Sequence, residues 1–382
     1  LPISDYVVAS SEFLYDIAKK FNKNIEIIRN GTEYAHFHKA AVEHKNERKI
    51  IGYYGAVAEW FDYSKVIYVA QNMPDCDVVI IGRVTAGEKQ LSKYNNIKLL
   101  GEIPYNELPK YLECFDVCLI PFDTSTDLIK ATNPVKFYEY LSAGKKIVAT
   151  DIPELEPFKD KYVYLSNDNH QFLEYIKICL ENKDCLANDT EKMAFALKND
   201  WQIRYENFYE VCRRAVPKVS IIVLTYNNLE INKICMNSIL HNTAYANYEL
   251  IVVDNCSTDG TTDYLRALER DDARVKLILN KENKGFAGGN NVGINASTGE
   301  YVLLLNNDTV VTRGWITAMA KHLENNSKLG MCGPVTNSIG NEAKIKVNYH
   351  SVKEMYSFAY RYTTDHSIPN MKILMFLHYS VL

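Results

Sequence analysis

The sequence predicts an α/β protein of two domains, each built on a mainly parallel sheet with flanking helices. Three observations carry that reading. The chain has 382 residues, enough for two ordinary domains. Short apolar runs that stop at Gly or at a polar turn alternate with helical segments, and they do so in two separate stretches. Between the stretches lies a charged helical segment closed by Pro217. The expected division is 1–200 for the first domain, 201–217 for a linking helix and 218–382 for the second.

In the first stretch, strands are expected at Tyr6–Ser10, Ile25–Arg29, Lys49–Tyr54, Val78–Ile81, Ile97–Leu100, Val117–Pro121 and Lys146–Thr150. Ser11 suits the cap of a helix running to Lys20. Asn133, Pro134 and Gly144 read as the cap, first position and C′ residue of another helix. The linking helix carries Trp201, Tyr205 and Phe208 on one side. In the second stretch the order is strand Val219–Tyr226, helix Leu229–Asn242, strand Tyr248–Asp254, helix Asp263–Arg270 and strand Val275–Leu279. A loop over Asn280–Asn290, a short helix near Asn291–Ser297 and strand Tyr301–Leu305 follow.

Composition excludes several function classes. The formal net charge of −4 gives no reason to expect nucleic acid as a partner. Nine cysteines, an odd number without a CxxC pair, fit a reduced cytoplasmic protein better than a disulfide framework or a zinc site. No apolar run reaches the roughly 18–20 residues of a spanning helix. Leu1-Pro2-Ile3-Ser4-Asp5 has neither Met nor the features of a signal peptide, and it reads as a start inside a longer text.

Ligands of open parallel sheets bind beyond the carboxyl ends of the strands. Three polar clusters of the second stretch fall there: Thr225-Tyr226-Asn227-Asn228, Asp254-Asn255 and Asn306-Asn307-Asp308. Asp254 either accepts hydrogen bonds from a nucleoside or caps its own turn. The segment Asn283–Asn291, with Gly285, Gly288 and Gly289, either offers bare N–H groups to a phosphate or permits tight helix packing. Asp308 either holds a hard divalent cation beside substrate phosphate oxygens or is a solvated turn residue.

Together these clusters resemble family-two glycosyltransferases, which have the GT-A fold. The resemblance covers Lys218–Lys321 through Val219–Asn228, Asp254–Thr261, Asn283–Asn291 and Asn306–Asp308. Gly333–Asn341 is similar to the acceptor-side loop of bacterial members, some of them rhamnosyltransferases. The resemblance implies that Thr225 and Asp254 contact the nucleoside and that Asp308 holds Mg²⁺ or Mn²⁺. Asn227, Asn255, Lys284, Gly285, Gly289, Asn290 and Asn307 complete the expected nucleotide-sugar site. The family's DXD pattern is Asn-Asn-Asp here, so only its last acid carries over. An inverting transfer also needs a general base. After Asn341 only Glu342, Glu354 and Asp365 are acidic, and none has the family's context. The catalytic residue is therefore unknown, and the second domain is expected to be cut short before it.

The first domain resembles the Rossmann-like, nucleotide-binding C-terminal half of a family-four-type GT-B glycosyltransferase. The resemblance rests on Val7–Leu14, Ile27–Gly31, Gly52–Asp62 and Asn133–Asp151. It implies that Glu139 binds ribose hydroxyls and that Gly55 lies against the donor diphosphate; the earlier acid of the paired motif is Ala131 here. The alternative for Glu139 is an ordinary solvated helix residue. No preceding acceptor domain is present, so this half is not expected to complete a transfer alone.

The resulting expectation is a metal-assisted glycosyltransferase of bacterial surface polysaccharide synthesis. Its donor would be a UDP- or dTDP-sugar and its acceptor a glycan, free or lipid-linked, at the inner membrane face. A nucleotide-sugar-binding module with little turnover is the alternative. A sugar-nucleotide pyrophosphorylase would need a basic, glycine-rich signature in Thr225–Glu230, which is absent.

Overall fold

Runs of Val, Ile and Leu without intervening polar residues are stable as strands only when both sheet faces are covered, which favours parallel sheets flanked by helices. The computed structural model has that architecture twice. It describes residues 4–42, 46–340, 342–365, 367–368, 371–372 and 375–378, with side chains described through Tyr362. The chain divides into two units, Leu1–Tyr209 and Glu210–Leu382. The division falls inside the helix Trp201–Arg214. Trp201, Tyr205 and Phe208 are exposed on that helix.

Unit 1 begins with a parallel pair, β1 (Val7–Ala9) and β2 (Ile25–Ile27), around a small core of Ala9, Ala18 and Ile25. The intervening helix starts at Glu12 because the Ser11 hydroxyl accepts the Leu14 N–H at 3.3 Å. A six-stranded sheet follows: β3 (Lys49–Tyr54), β4 (Cys76–Ile81), β5 (Ile97–Leu99), β6 (Val117–Ile120), β7 (Ile147–Ala149) and β8 (Tyr164–Leu165). All its pairings are parallel and the order is β5-β4-β3-β6-β7-β8. The chain builds outward from β3 in one direction and then in the other, so the switch point lies between β3 and β6.

After β6 and a short helix, Asp127–Lys130, the helix expected near Asn133 runs over Val135–Ser142, with Pro134 in the cap position. Asn133 does not cap it. Its side chain is buried and bonded elsewhere: Oδ1 accepts the Asn30 N–H at 3.0 Å and Nδ2 donates to Glu154 Oε2 at 3.4 Å. Glu154 in turn receives Arg29 Nε at 2.8 Å. This network ties the segment after β2 to the main sheet. Gly144 does end the helix with φ +69°, in the left-handed region.

Unit 2 holds β9 (Val219–Thr225), β10 (Tyr248–Asp254), β11 (Val275–Leu279) and β12 (Tyr301–Asn306), all parallel in the order β11-β10-β9-β12. Its switch point lies between β9 and β12. The core comprises Ile221, Val223, Met236, Leu250, Val252 and Trp315 among others. Beyond it are β13 (Thr309–Val310), β14 (Val335–Thr336), the antiparallel pair β15 (Ser367–Ile368) and β16 (Met371–Lys372), and β17 (Met375–His378). β17 lies between β13 and β14.

Glu249 at the start of β10 pins the base of this sheet. Its carboxylate accepts Ser220 Oγ at 2.6 Å and Thr298 N at 2.8 Å, and pairs with Lys218 Nζ at 3.0 Å. Burial alone would raise its pKa, but the bonds from Ser220, Thr298 and Lys218 outweigh burial and hold it down at about 2. A depressed carboxyl stabilises above its unfolded pKa, and that stability is lost as pH falls through the folded value. Glu249→Gln is therefore expected to destabilise unit 2 by about 1–2 kcal/mol at pH 7, with solvent screening allowed for. In denaturant titrations the gap to the parent should close between about pH 4.5 and 2. A gap independent of pH would contradict this role.

Candidate nucleotide-sugar site

The three polar clusters at the carboxyl ends of β9, β10 and β12 come together at the switch point of unit 2. The backbone first makes room for them. Asn227 and Asn228 turn the chain out of β9 with φ +52° and +63°, a conformation that asparagine tolerates better than most residues. The helix Leu229–Asn242 then starts with its Leu229 N–H donating to Asp259 Oδ2 at 2.9 Å.

Asp254 closes the neighbouring turn from within. It is 1% exposed. Oδ1 accepts Thr225 Oγ1 at 3.0 Å and Ser257 Oγ at 2.5 Å. Oδ2 accepts Ser257 N at 2.9 Å and Thr262 Oγ1 at 3.3 Å. Thr225 is fully buried as well. These two residues hold the strand ends together, and their polar atoms are satisfied inside the protein. Ser257 and Thr262 complete that knot, and of the two only Thr262 carried no signal in the sequence. The Asp-x-x-Ser spacing of an Asx turn was the signal for Ser257.

Asn255 is 2% exposed and latches the next segment. Its Nδ2 donates to Asn283 Oδ1 and Gly285 O, both at 3.1 Å. Its Oδ1 accepts Asn280 Nδ2 at 2.8 Å and Lys284 N at 3.4 Å. The segment so held is not a loop up to Asn290, as the sequence suggested. A helix already begins at Gly285 and runs to Ala296. Its glycines explain why. A Cβ at Gly289 would lie 2.3 Å from Leu224 Cδ1, and one at Gly293 would lie 2.4 Å from Ile222 Cγ2. Glycine costs helix propensity but lets this helix lie directly on β9. Gly289 thus serves packing, whereas Gly285 has φ +71° and open space around it. Asn290 is buried and donates to Phe286 O at 2.9 Å within the helix. Lys284 and Phe286 are exposed at the helix start.

A further chain of amides joins β9 to β12. Asn307 Nδ2 donates to Asn232 Oδ1 at 2.7 Å, and Asn232 Nδ2 donates to Asn227 O at 2.7 Å and to Thr261 Oγ1 at 3.2 Å. Asn227 also accepts the Thr258 N–H at 2.9 Å and donates its own N–H to Ser257 Oγ at 2.7 Å. Asp308, half-buried, follows at the tip of β12. Beneath it lies Cys235, whose thiol burial pushes up to about 12, with the Asp308 charge adding to the rise. Among the described residues there is no group of three His, Cys, Asp or Glu side chains that could hold a metal by itself. A single carboxylate fits Mg²⁺ or Mn²⁺ when phosphate oxygens and water supply the remaining ligands.

The site is thus a rim of three turns, each fixed by buried amides and carboxylates. The groups exposed on it are Tyr226, Asn228, Lys284 and the start of the Gly285 helix, with Asp308 half-buried at the tip of β12. Glu354 has no part in it. It caps the helix Val352–Asp365, accepting the His350 N–H at 2.7 Å while its own N–H reaches Ser351 Oγ at 3.2 Å.

Residues 220–378 match the sequence profile of Glycosyl transferase family 2, and residues 48–182 match that of Glycosyl transferases group 1. The chain carries two glycosyltransferase domains in tandem. The putative teichuronic acid biosynthesis glycosyltransferase TuaH of Bacillus subtilis is 26% identical over 190 residues, 46% of this chain and 48% of that protein. The UDP-Glc:alpha-D-GlcNAc-diphosphoundecaprenol beta-1,3-glucosyltransferase WfgD of Escherichia coli is 37% identical over 92 residues, 24% of this chain and 35% of that protein. Both alignments span less than half of the relative. Among solved structures, Anabaena HepE in complex with UDP and glucose aligns with TM-score 0.44 and 16% identity, covering 54% of this chain and 62% of that one.

In the group 1 domain, Gly55 directly follows β3, and Glu139 lies in the helix Val135–Ser142 beside Tyr54, the last residue of that strand. Glu139 is not a solvated helix residue: it is 8% exposed. Burial pushes its carboxyl up, against the opposing pull of Lys136 and of the Tyr54 hydroxyl. Gly55 has φ +134°, and the volume its missing Cβ leaves is filled by the Lys136 side chain. The sequence reading reserved that volume for a ligand.

Proposed function

We propose that the family 2 domain transfers a sugar from a nucleotide-sugar donor, a UDP- or dTDP-sugar, to a glycan acceptor of bacterial surface polysaccharide synthesis. The observation that carries this reading is the rim at the β9–β12 switch point, where exposed polar groups surround a helix start and one aspartate. The names of TuaH and WfgD support the pathway class and a lipid-linked acceptor. Such an acceptor would place the enzyme in the cytoplasm, peripherally on the inner membrane face. Among the described residues no helix is long and apolar enough to cross a membrane.

In this proposal the N–H groups at the start of the Gly285 helix and the Lys284 ammonium receive the diphosphate. Tyr226 offers a ring to the base. Thr225, Asp254, Asn255, Asn290 and Asn307 act from behind by holding these groups in place. Asp308 would hold the divalent ion, which when bound neutralises charge on the departing diphosphate. An acceptor hydroxyl, giving up its proton to a general base outside the residues named above, attacks the anomeric carbon; the bond to the diphosphate breaks with its electron pair leaving on the nucleoside diphosphate, and the configuration inverts. In the group 1 domain, Glu139 would take ribose hydroxyls of a second nucleotide.

The full chain should be incubated with UDP- and dTDP-sugars, Mn²⁺ and a lipid-linked glycan, with binding and nucleotide release followed together. Acceptor-dependent release is expected. Saturable binding without release on any acceptor would favour a binding module instead.

A further inference from the structure

Unit 2 carries an apolar groove beside the donor rim. It lies between the helices Leu229–Asn242 and Val352–Asp365, over β13, and has a volume of about 680 Å³. Ile234, Asn237, Ser238 and His241 recur at steps of three and four residues, so one stripe of the first helix forms a wall. Buried Val310 is the floor, and Val352 and Tyr356 form the opposite wall. The first helix is also the one that holds the rim: Asn232 accepts from Asn307, and the Cys235 thiol lies 3.7 Å from Asn306 O. From Ile234 to Asn242 it rises about 12 Å. Val310 stands just beyond Asp308 in the chain. The groove therefore leads directly away from the proposed transfer site.

What the groove can hold follows from its lining. Ser238 Oγ donates to Cys235 O at 2.8 Å and accepts the Val311 N–H at 3.1 Å. Asn242 Nδ2 donates to Val311 O at 3.0 Å and to Tyr356 OH at 2.9 Å. His241 Nδ1 lies 2.8 Å from Asn237 O. These groups are engaged within the protein and offer a sugar little. Ile234 and Val352, by contrast, are 45% and 44% exposed. Among the described residues no carboxylate lines the groove. The neighbouring chain adds charge. Ile345, Val347 and Tyr349 pack on the cluster of Val310, Met355 and Ala359, which also takes in Tyr356. The alternate residues Lys344, Lys346 and His350 are exposed, with no acid among them. An apolar trough with a cationic border suits a hydrocarbon chain that ends in phosphate. An amphipathic peptide would fit the trough, but it accounts neither for that border nor for the link to the rim.

We infer that this groove holds the hydrocarbon chain of a lipid-linked acceptor, next to its phosphates, which lie along the border of Lys344, Lys346 and His350. The inference rests on the lipid-linked acceptor proposed above. It makes acceptor choice depend on the lipid as well as on the sugar, and it separates acceptor binding from the donor rim on the other side of Asp308.

The test titrates farnesyl diphosphate and inorganic diphosphate calorimetrically into the full chain, with UDP and Mn²⁺ saturating so that nucleotide sites are filled. Farnesyl diphosphate should bind about tenfold or more tightly than inorganic diphosphate, the scale of burying a few methylene groups. Ile234→Gln combined with Val352→Gln should erase that advantage and leave Tm unchanged, because both side chains are half exposed. Lys344→Gln combined with Lys346→Gln should weaken both probes alike. Equal binding of the two probes by the parent, or an advantage kept by the groove variant, would overturn the inference. Sedimentation with phosphatidylglycerol vesicles free of polyprenyl lipid, lost in the groove variant, would also overturn it, in favour of a membrane-contact surface. In transfer assays the groove variant should raise KM for a lipid-linked glycan about tenfold and leave KM for the donor unchanged. A chain that transfers to no glycan defeats the transferase reading. One that uses lipid-free and lipid-linked glycans equally well keeps that reading and defeats this inference.

Discussion

Asp308→Ala is expected to abolish the Mn²⁺ dependence of donor binding and to lower transfer about a hundredfold or more. Asp308 is the one acid of the Asn306-Asn307-Asp308 cluster at the tip of β12, and Asn307 beside it is already bonded to Asn232. Nothing in that cluster can replace its charge. The size of the effect is that of removing a group that stabilises charge developing at the reacting centre. The fold should persist, since Asp308 is only half-buried and the strand before it is held by its ladder to β9. Donor binding measured with and without Mn²⁺ in both proteins checks the assignment. An unchanged metal dependence would refute it.

Asp254→Ala produces the second large effect, and of a different kind. It costs unit 2 about 3–5 kcal/mol of stability, because Ser257 N, Ser257 Oγ, Thr225 Oγ1 and Thr262 Oγ1 lose their common acceptor in a buried place. A typical domain has only about 5–15 kcal/mol to lose. Asp254→Asn should be damaging too, because its NH₂ group would face one set of these donors. Denaturant unfolding measures the loss. A protein of normal stability that no longer binds donor would instead restore Asp254 as a direct nucleoside ligand.

These expectations show which parts of the molecule could be read from residues alone. The strands Val219–Thr225 and Tyr248–Asp254 were legible because their apolar runs leave no other place than the middle of a covered sheet. The meeting of the three polar clusters was legible for the same reason, since strand order brings the strand ends together. The direction in which each polar side chain points was not. Asp254 and Asn255 are adjacent in sequence, yet one turns back into its own loop and the other reaches Asn280, Asn283 and Gly285. Both are tertiary choices. The helix start at Gly285 was hidden because glycines at 285, 288 and 289 argue locally against a helix. Packing on Leu224 and Ile222 overrides that preference. At Gly55 the resemblance implied the close approach of a diphosphate, whereas the side chain that fills the Cβ volume is that of Lys136, 81 positions further along the chain.

The central claim is that the family 2 domain holds its donor at the carboxyl ends of β9, β10 and β12. Hydrogen exchange of the full chain with and without a UDP-sugar and Mn²⁺ tests it most directly. Protection should appear at residues 226–228, 284–288 and 306–308, and the latter part of it should vanish when Mn²⁺ is withheld. Donor-induced protection confined to other segments, with these three unchanged, would contradict the account.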